Sequence, residues 1–359
     1  MKVLYIGNYR DGTGWANACI NNILALDSAG VDVVPRAITF ESQQQNPDRI
    51  KELESASTQG CDVCIQHTLP HLYSYDSRYK NIGFLAVESS HFKDTGWQHN
   101  INLMDELWVP SNSAKVSCEN SDVKIPIKVA PHSLDISKYQ KENGGNKIEE
   151  MLPTFNFAFI GEFIERKNLQ ALIRAFHLEF DFQEPVNLLI KTSKADLPQI
   201  QNYIKHVKSG LKIRSRYREE IIIAGRLEEK DYVSVLGQCH SFVMPSRGEA
   251  FCIPALEAMS LGVPVIHTAN TGMDDFCIGV SVESYAVPCL GAVSTISNLD
   301  TARSDWQEIN IKKLCSAMRE AYQKWNSQES QEDSEKVKVH ASGYDHANVG
   351  KQLKELLND

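Results

Sequence analysis

The feature that most constrains this chain is an alternation of short apolar runs with helix-period segments, which breaks once and then resumes. "KVLYIG" reads as a strand, and a Gly-bearing turn, "NYRDGTG", follows it. "WANACINNILALDSAG" reads as a helix closed by Gly30, and "VDVVPRAI" as the next strand. "CDVCIQH", "NIGFLAVES", "ELWVPS" and "KVAPHS" are further apolar runs that end in polar residues. The polar stretch 137–152, "SKYQKENGGNKIEEML", interrupts the pattern and reads as a linker. The alternation restarts with strand "TFNFAFIG", helix "LQALIRAFHLEF", strands "VNLLIKT", "EEIIIAGRL" and "HSFVMPS", helix "ALEAMSLG" and strand "VPVIHT". Strands that alternate with helices bury both faces of a parallel sheet, so the expected class is α/β with two Rossmann-like domains. The boundaries expected are 1–140 for the first domain, 141–152 for the linker, 153–340 for the second domain and 341–359 for a final helix. The run "SQESQEDSEK" before that helix reads as exposed and polar.

A chain of 359 residues is too long for one ordinary core, which agrees with two domains. Its net charge of -9 argues against a nucleic-acid partner. The segment "QNYIKHVKSGLKIRSRYREE" is locally basic, with Lys205, Lys208, Lys212, Arg214, Arg216 and Arg218. It reads as a solvated helix and loop, with peripheral contact to anionic lipid on the inner membrane face as the sharper alternative. The first residues read as a strand rather than a secretory leader, and no run is long enough for a membrane span. Nine irregularly spaced cysteines read as reduced thiols of a cytoplasmic protein, and the Cys61-x-x-Cys64 pair reads as strand packing.

Two constellations carry chemistry. In "SRGEAFCIPALEAMSLGVPVI", Glu249 lies in a turn ahead of a helix whose start is marked by Pro254, and Glu257 lies in its first turn or so. Backbone N–H groups at Phe251, Cys252 and Ile253 would leave that helix start as an anion site. Carboxylates beside such a site suit hydroxyls, so the set fits a nucleotide-sugar; the plainer alternative is a capped surface helix. In "FIGEFIERKNLQALIRAF", Arg166 and Lys167 sit in the turn between a strand and a helix, where cations can neutralise a leaving diphosphate. Gly12-x-Gly14 opens the first domain in the place of a dinucleotide fingerprint. Asn17 stands where the third glycine belongs, and "VDVVPRAI" ends without an acidic residue, which speaks against a nicotinamide enzyme.

Together these pieces resemble the family 4 retaining glycosyltransferases. The resemblance rests on a strand–G-x-x-x-x-R-K–helix followed about eighty residues later by an E-x7-E segment. It implies the GT-B fold: two Rossmann-like domains facing each other across a cleft, with the C-terminal helix crossing back to the first, and closure about the linker. It implies that Lys167 and Arg166 bind the diphosphate, Glu249 contacts the donor sugar, and Phe251, Cys252 and Ile253 touch sugar and phosphate. Glu257 would bind the ribose, Gly12, Thr13 and Gly14 would admit the donor's diphosphate and the acceptor, and Arg226 and Leu227 would flank the base. Glu88 and His91 in "AVESSHF" are the acceptor-side candidates. Departures from the family pattern are Glu162 where arginine is common, and Ala250, Cys252 and Ser133 where glycine is usual. The expected activity is transfer of a sugar from a nucleotide-diphosphate donor to a glycan, lipid-linked or small-molecule hydroxyl. It would proceed with retention, without a cofactor and, lacking a D-x-D motif, without a metal. An epimerase or phosphorylase on the same fold, or a non-catalytic sugar-nucleotide binding module, stays open from the residues alone.

Overall fold

β1 (Lys2–Gly7), β2 (Asp32–Ala37), β3 (Val63–His67), β4 (Lys80–Phe84), β5 (Glu106–Val109) and β6 (Ile127–Val129) form one sheet in the order β2-β1-β3-β4-β5-β6. Every pairing in it is parallel. β7 (Phe155–Ile160), β8 (Val186–Thr192), β9 (Ile221–Ala224), β10 (Ser241–Met244), β11 (Val265–Thr268) and β12 (Gly279–Val282) form a second, in the order β12-β11-β10-β7-β8-β9. It too is parallel throughout. These are a computed structural model's description of residues 1–39, 46–140, 145–193, 195–213, 216–292, 296–325 and 327–359. Residues 141–144 of the expected linker, and Arg214 of the basic run, lie outside the described residues.

The chain divides into two compact units, Met1–Asp135 with Ser294–Ser304 and Gly343–Asp359, and Ile136–Val293 with Asp305–Ser342. The architecture is α/β with two Rossmann-like units. Numbered from β7, the second sheet has the order 3-2-1-4-5-6, that of dinucleotide-binding folds. Its central strand β7, "FNFAFI", is buried at every residue because helices cover both faces, which is why it reads as a continuous run and not an alternation.

In the first unit, the terminal helix His346–Asn358 packs against the helix Gly14–Ser28, where a side chain at Gly350 would meet the Ala25 carbonyl oxygen at 2.1 Å. Val349, Leu353 and Leu357 of that helix enter the same apolar cluster as Val3, Tyr5 and Ile23.

Three features differ from the sequence pattern. The polar run 327–336 is exposed or half-exposed as expected, but it belongs to a helix, Gln328–Ser342, whose Val337 and Ala341, beyond the run, are buried. It lies against the end of the helix Ile253–Ser260, since a Cβ at Gly262 would meet Ser334 Oγ at 2.3 Å. An antiparallel hairpin, β13 (Ser284–Pro288) with β14 (Asp305–Ile309), was not signalled by periodicity. The basic segment is not one charged surface either: Lys208 is buried on the helix Leu197–Leu211 and pairs with Glu220 at 2.9 Å.

Candidate functional site

In an open parallel sheet, ligands bind beyond the carboxyl ends of the strands where the strand order reverses. In the second unit that point lies between β7 and β10. Both loops there carry the residues singled out above. β7 runs into Gly161 and the short 3-10 turn Glu165–Lys167. β10 stops at Pro245, which cannot donate to the ladder, and leads through Ser246–Gly248 to Glu249.

The two loops are tied together. Lys167 Nζ lies 2.6 Å from Glu249 Oε1, and Arg166 Nη1 lies 3.2 Å from the same oxygen. Glu249's side chain is 4% exposed and each cation's 13%. Arg247 N donates to Arg166 O at 2.7 Å, and Arg166 also donates to Gly248 O. Burial alone would raise the Glu249 carboxyl, but Lys167 and Arg166 outweigh it and hold the group below the usual carboxylate range. Glu249 is therefore an anion that fixes two cations at the switch point, a pair costly to leave half-made.

The helix Ile253–Ser260 begins just after this cluster, with Pro254 in its first turn and Ala255, Leu256, Ala258 and Met259 buried. Cys252 caps it with φ 87° and ψ 75°, a left-handed conformation that favours glycine. Counted from Ile253, Glu257 stands in the second turn and not the first. Its Oε1 accepts from Tyr139 Oη at 2.9 Å, and its Oε2 accepts from Tyr232 Oη. Burial raises the Glu257 carboxyl despite these two phenols and Lys191. Lys191, at the end of β8, has its Nζ 6.0 Å from the Tyr232 ring centroid and is pushed down by burial, against the pull of Glu257. The two glutamates of the E-x7-E segment thus sit in opposite environments. Tyr139, Tyr232 and Lys191 carry no motif that would have marked them. Arg226 and Leu227 follow Gly225 (φ 93°) after edge strand β9, with Arg226 exposed.

In the first unit the switch point lies between β1 and β3. Gly12 has φ 67° in the loop after β1, as the turn reading requires. Thr13 is the N-cap of Gly14–Ser28, its Oγ1 accepting from Ala16 N at 3.2 Å, and Gly14 is the first helical residue. β3 ends on His67, whose Nδ1 is 2.7 Å from Tyr5 Oη and whose ring lies 5.8 Å from that of His132, centroid to centroid. Burial depresses both imidazoles, His132 to about 3. Sequence reading passed over this pair, although a histidine closing the apolar run "CDVCIQH" was a visible signal. His91 lies elsewhere in the unit: its Nε2 is 2.9 Å from Arg303 O, and Arg303 in turn pairs with Asp94 at 3.0 Å. Glu88 is half-buried three residues before it.

All nine cysteines are free thiols, eight of them buried. Cys61 and Cys64 pack with Leu4 and Val34, and burial pushes the Cys64 thiol up to about 12. Among the described residues, no group of three or more His, Cys, Asp or Glu is placed to hold a metal ion. No helix among them is long and apolar enough to cross a membrane.

The fold and this site define a two-unit Rossmann-like protein whose second unit gathers a carboxylate and two cations at its strand switch point. Residues 145–278 match the family model described as Glycosyl transferases group 1, and residues 223–356 match Family 4 Glycosyltransferase in conflict systems. Residues 145–278 are thus similar in sequence to group 1 glycosyltransferases.

An uncharacterized glycosyltransferase of Methanocaldococcus jannaschii, MJ1178, is 30% identical over 176 residues, 48% of this chain and 44% of the relative. The serotype-specific mannosyltransferase WbdA of Escherichia coli is 30% identical over 116 residues, 31% of this chain and 13% of the relative. The chain therefore spans less than half the length of these two relatives. Among solved structures, Anabaena Alr3699/HepE in complex with UDP has a TM-score of 0.64 at 15% identity, covering 100% of both chains. The trehalose-6-phosphate synthase OtsA has a TM-score of 0.68 at 9% identity, covering 100% of this chain and 99% of the other. At such identities the likeness to these structures is one of fold, the GT-B fold.

Proposed function

We propose that the protein is a retaining glycosyltransferase that moves a sugar from a nucleotide-diphosphate donor to an acceptor hydroxyl. The observation that carries this reading is the convergence of Arg166, Lys167 and Glu249 beside the start of the Ile253–Ser260 helix. Negative charge develops on the diphosphate as the glycosidic bond breaks. Two cations and a helix N-terminus already fixed in place favour that charge without reorganising. Glu249 keeps both cations aimed and reaches the donor sugar. Phe251, Cys252 and Ile253 line the approach to sugar and phosphate, and Glu257, oriented by Tyr139 and Tyr232, takes the ribose hydroxyls. Arg226 and Leu227 flank the base, while Gly12, Thr13 and Gly14, with Glu88 and His91, serve from the first unit.

Retention follows from front-face attack, with the leaving phosphate accepting the acceptor's proton, so no protein nucleophile is required. Arg166 and Lys167 supply the positive charge that the leaving group meets, and turnover should survive EDTA. Nine free cysteines suit the cytoplasm.

The family matches and the names of the relatives favour a transferase over an epimerase or a non-catalytic module. Anabaena HepE was solved with UDP-glucose and WbdA is named a mannosyltransferase, so UDP-glucose and a mannosyl donor lead the screen. The test is a thermal-shift screen against UDP-, GDP-, ADP- and dTDP-sugars, followed by nucleotide release with a panel of acceptors. A shift with one donor class and acceptor-dependent release are expected. No shift with any donor would refute the reading, conversion of donor without acceptor would indicate an epimerase, and binding without turnover a non-catalytic module.

A further inference from the structure

The hairpin strand β14 reaches the candidate site from about 140 residues along the chain and makes one contact set there that no motif anticipates. Glu308 Oε2 accepts from Arg247 Nε at 2.6 Å, and Glu308 Oε1 accepts from Asn168 Nδ2 at 2.8 Å. These two donors flank the Arg166–Lys167 turn. Arg247 holds its start, donating from Nη1 to Glu165 O at 2.8 Å and to the Glu165 carboxylate. Asn168 holds its end: it caps the helix Leu169–Glu179 in a left-handed conformation, φ 53°, and is buried. The backbone repeats the clamp, because Arg247 O accepts from Gln307 N at 2.7 Å while Arg247 N donates to Arg166 O at 2.7 Å. Glu308 is 17% exposed and Arg247 13%, so both are drawn well away from solvent.

A carboxylate tied to Arg247, which holds the start of this three-residue turn, and to Asn168, which directly follows its end, fixes that turn as a rigid piece. The turn carries the two cations assigned to the leaving group. We infer that Glu308 is a positioning residue: through Arg247 and Asn168 it sets where Arg166 and Lys167 stand. The inference rests on the glycosyltransferase reading above. Positioning matters steeply, since a displacement of about 1 Å at a reacting centre can cost on the order of 100-fold in rate.

The experiment uses the full chain with the donor selected by the screen. kcat and donor KM are measured for wild type, Glu308→Ala, Lys167→Ala and the double variant. Glu308→Ala is expected to lower kcat at least tenfold and to change donor KM less than threefold. The contacts it disturbs are drawn on when charge develops on the leaving group, not when donor first binds. In the Lys167→Ala background the same change should lose most of its effect, because the group it aims is already gone. Glu308→Gln keeps the volume and one accepting oxygen, and should fall between the two; it also carries the test if Glu308→Ala does not fold. Unchanged kcat in these variants, or a loss that adds in full to that of Lys167→Ala, overturns the positioning role. A wild-type protein that neither binds nor turns over any donor would bring down the glycosyltransferase reading, and this inference with it.

Discussion

Cys252 offers a perturbation whose sign follows from backbone geometry. It holds φ 87° and ψ 75° at the start of the Ile253–Ser260 helix. A Cβ in the left-handed region costs roughly 1–2 kcal/mol relative to the right-handed one. Glycine escapes that cost but loses more freedom on folding than alanine, by about 0.5–1 kcal/mol. Cys252→Ala and Cys252→Gly both remove the sulfur from the same buried site, so the loss of packing is nearly shared and the difference between them isolates the backbone. Cys252→Gly should therefore be the more stable of the two by about 0.5–1 kcal/mol. In a unit of about 200 residues, each kcal/mol shifts Tm by roughly 2–4 °C, so the two variants should differ by about 1–4 °C. Cys252→Val, β-branched, should fall below both. Scanning calorimetry on the three proteins reads the order directly. Alanine matching or exceeding glycine would refute the strained-cap argument, and with it the reason glycine suits this place in the family pattern.

Two further predictions concern the carboxylates and their cations. Lys167→Ala should lower kcat by about 100- to 1000-fold, the scale for removing one preorganised group from a developing charge. The fold should survive, as circular dichroism will show, because Arg166 remains 3.2 Å from Glu249; unaltered turnover would refute the assignment. Stability against pH should also separate the two glutamates. Glu249 is depressed in the fold, so what it contributes is present above the ordinary value of 4.5 and is lost as pH falls through its folded value. Glu257 is raised, so its contribution is present below 4.5 and is lost as pH rises through its folded value. Urea denaturation from pH 4 to 7 should show Glu257→Gln gaining on wild type as pH rises. The deficit of Glu249→Gln should shrink as pH falls below about 4.5. Parallel curves for the two variants would contradict the opposite environments found for them.

Much of the fold was legible because a parallel strand buried on both faces writes itself as a short apolar run, and "FNFAFI" is that run. The turn holding Arg166 and Lys167, and the Glu249–Glu257 bracket about the Ile253–Ser260 helix, were readable for the same reason: each spans a single strand-to-helix junction, where local spacing dictates position. Helix Gln328–Ser342 escaped notice because only Val337 and Ala341 of its residues are buried, too few to impose a period on a polar stretch. The hairpin β13–β14 escaped because its strands, Ser284–Pro288 and Asp305–Ile309, are separated by 16 residues that periodicity does not connect.

The sequence by itself determined which residues could stand at the ends of strands, since that depends on neighbours a few positions away. Only the tertiary structure decided which of those ends meet. Strand order brings the loops of β7 and β10 together, and so sets Lys167 on Glu249 across 82 residues. It encloses Glu257 beneath Tyr139 and Tyr232, where burial raises that carboxyl despite the two phenols, while its partner in the motif is lowered. It also brings Glu308 to Asn168 across 140 residues. The physical reason is that burial and charge act through space, whereas spacing along the chain reports only what one strand or helix presents on its faces.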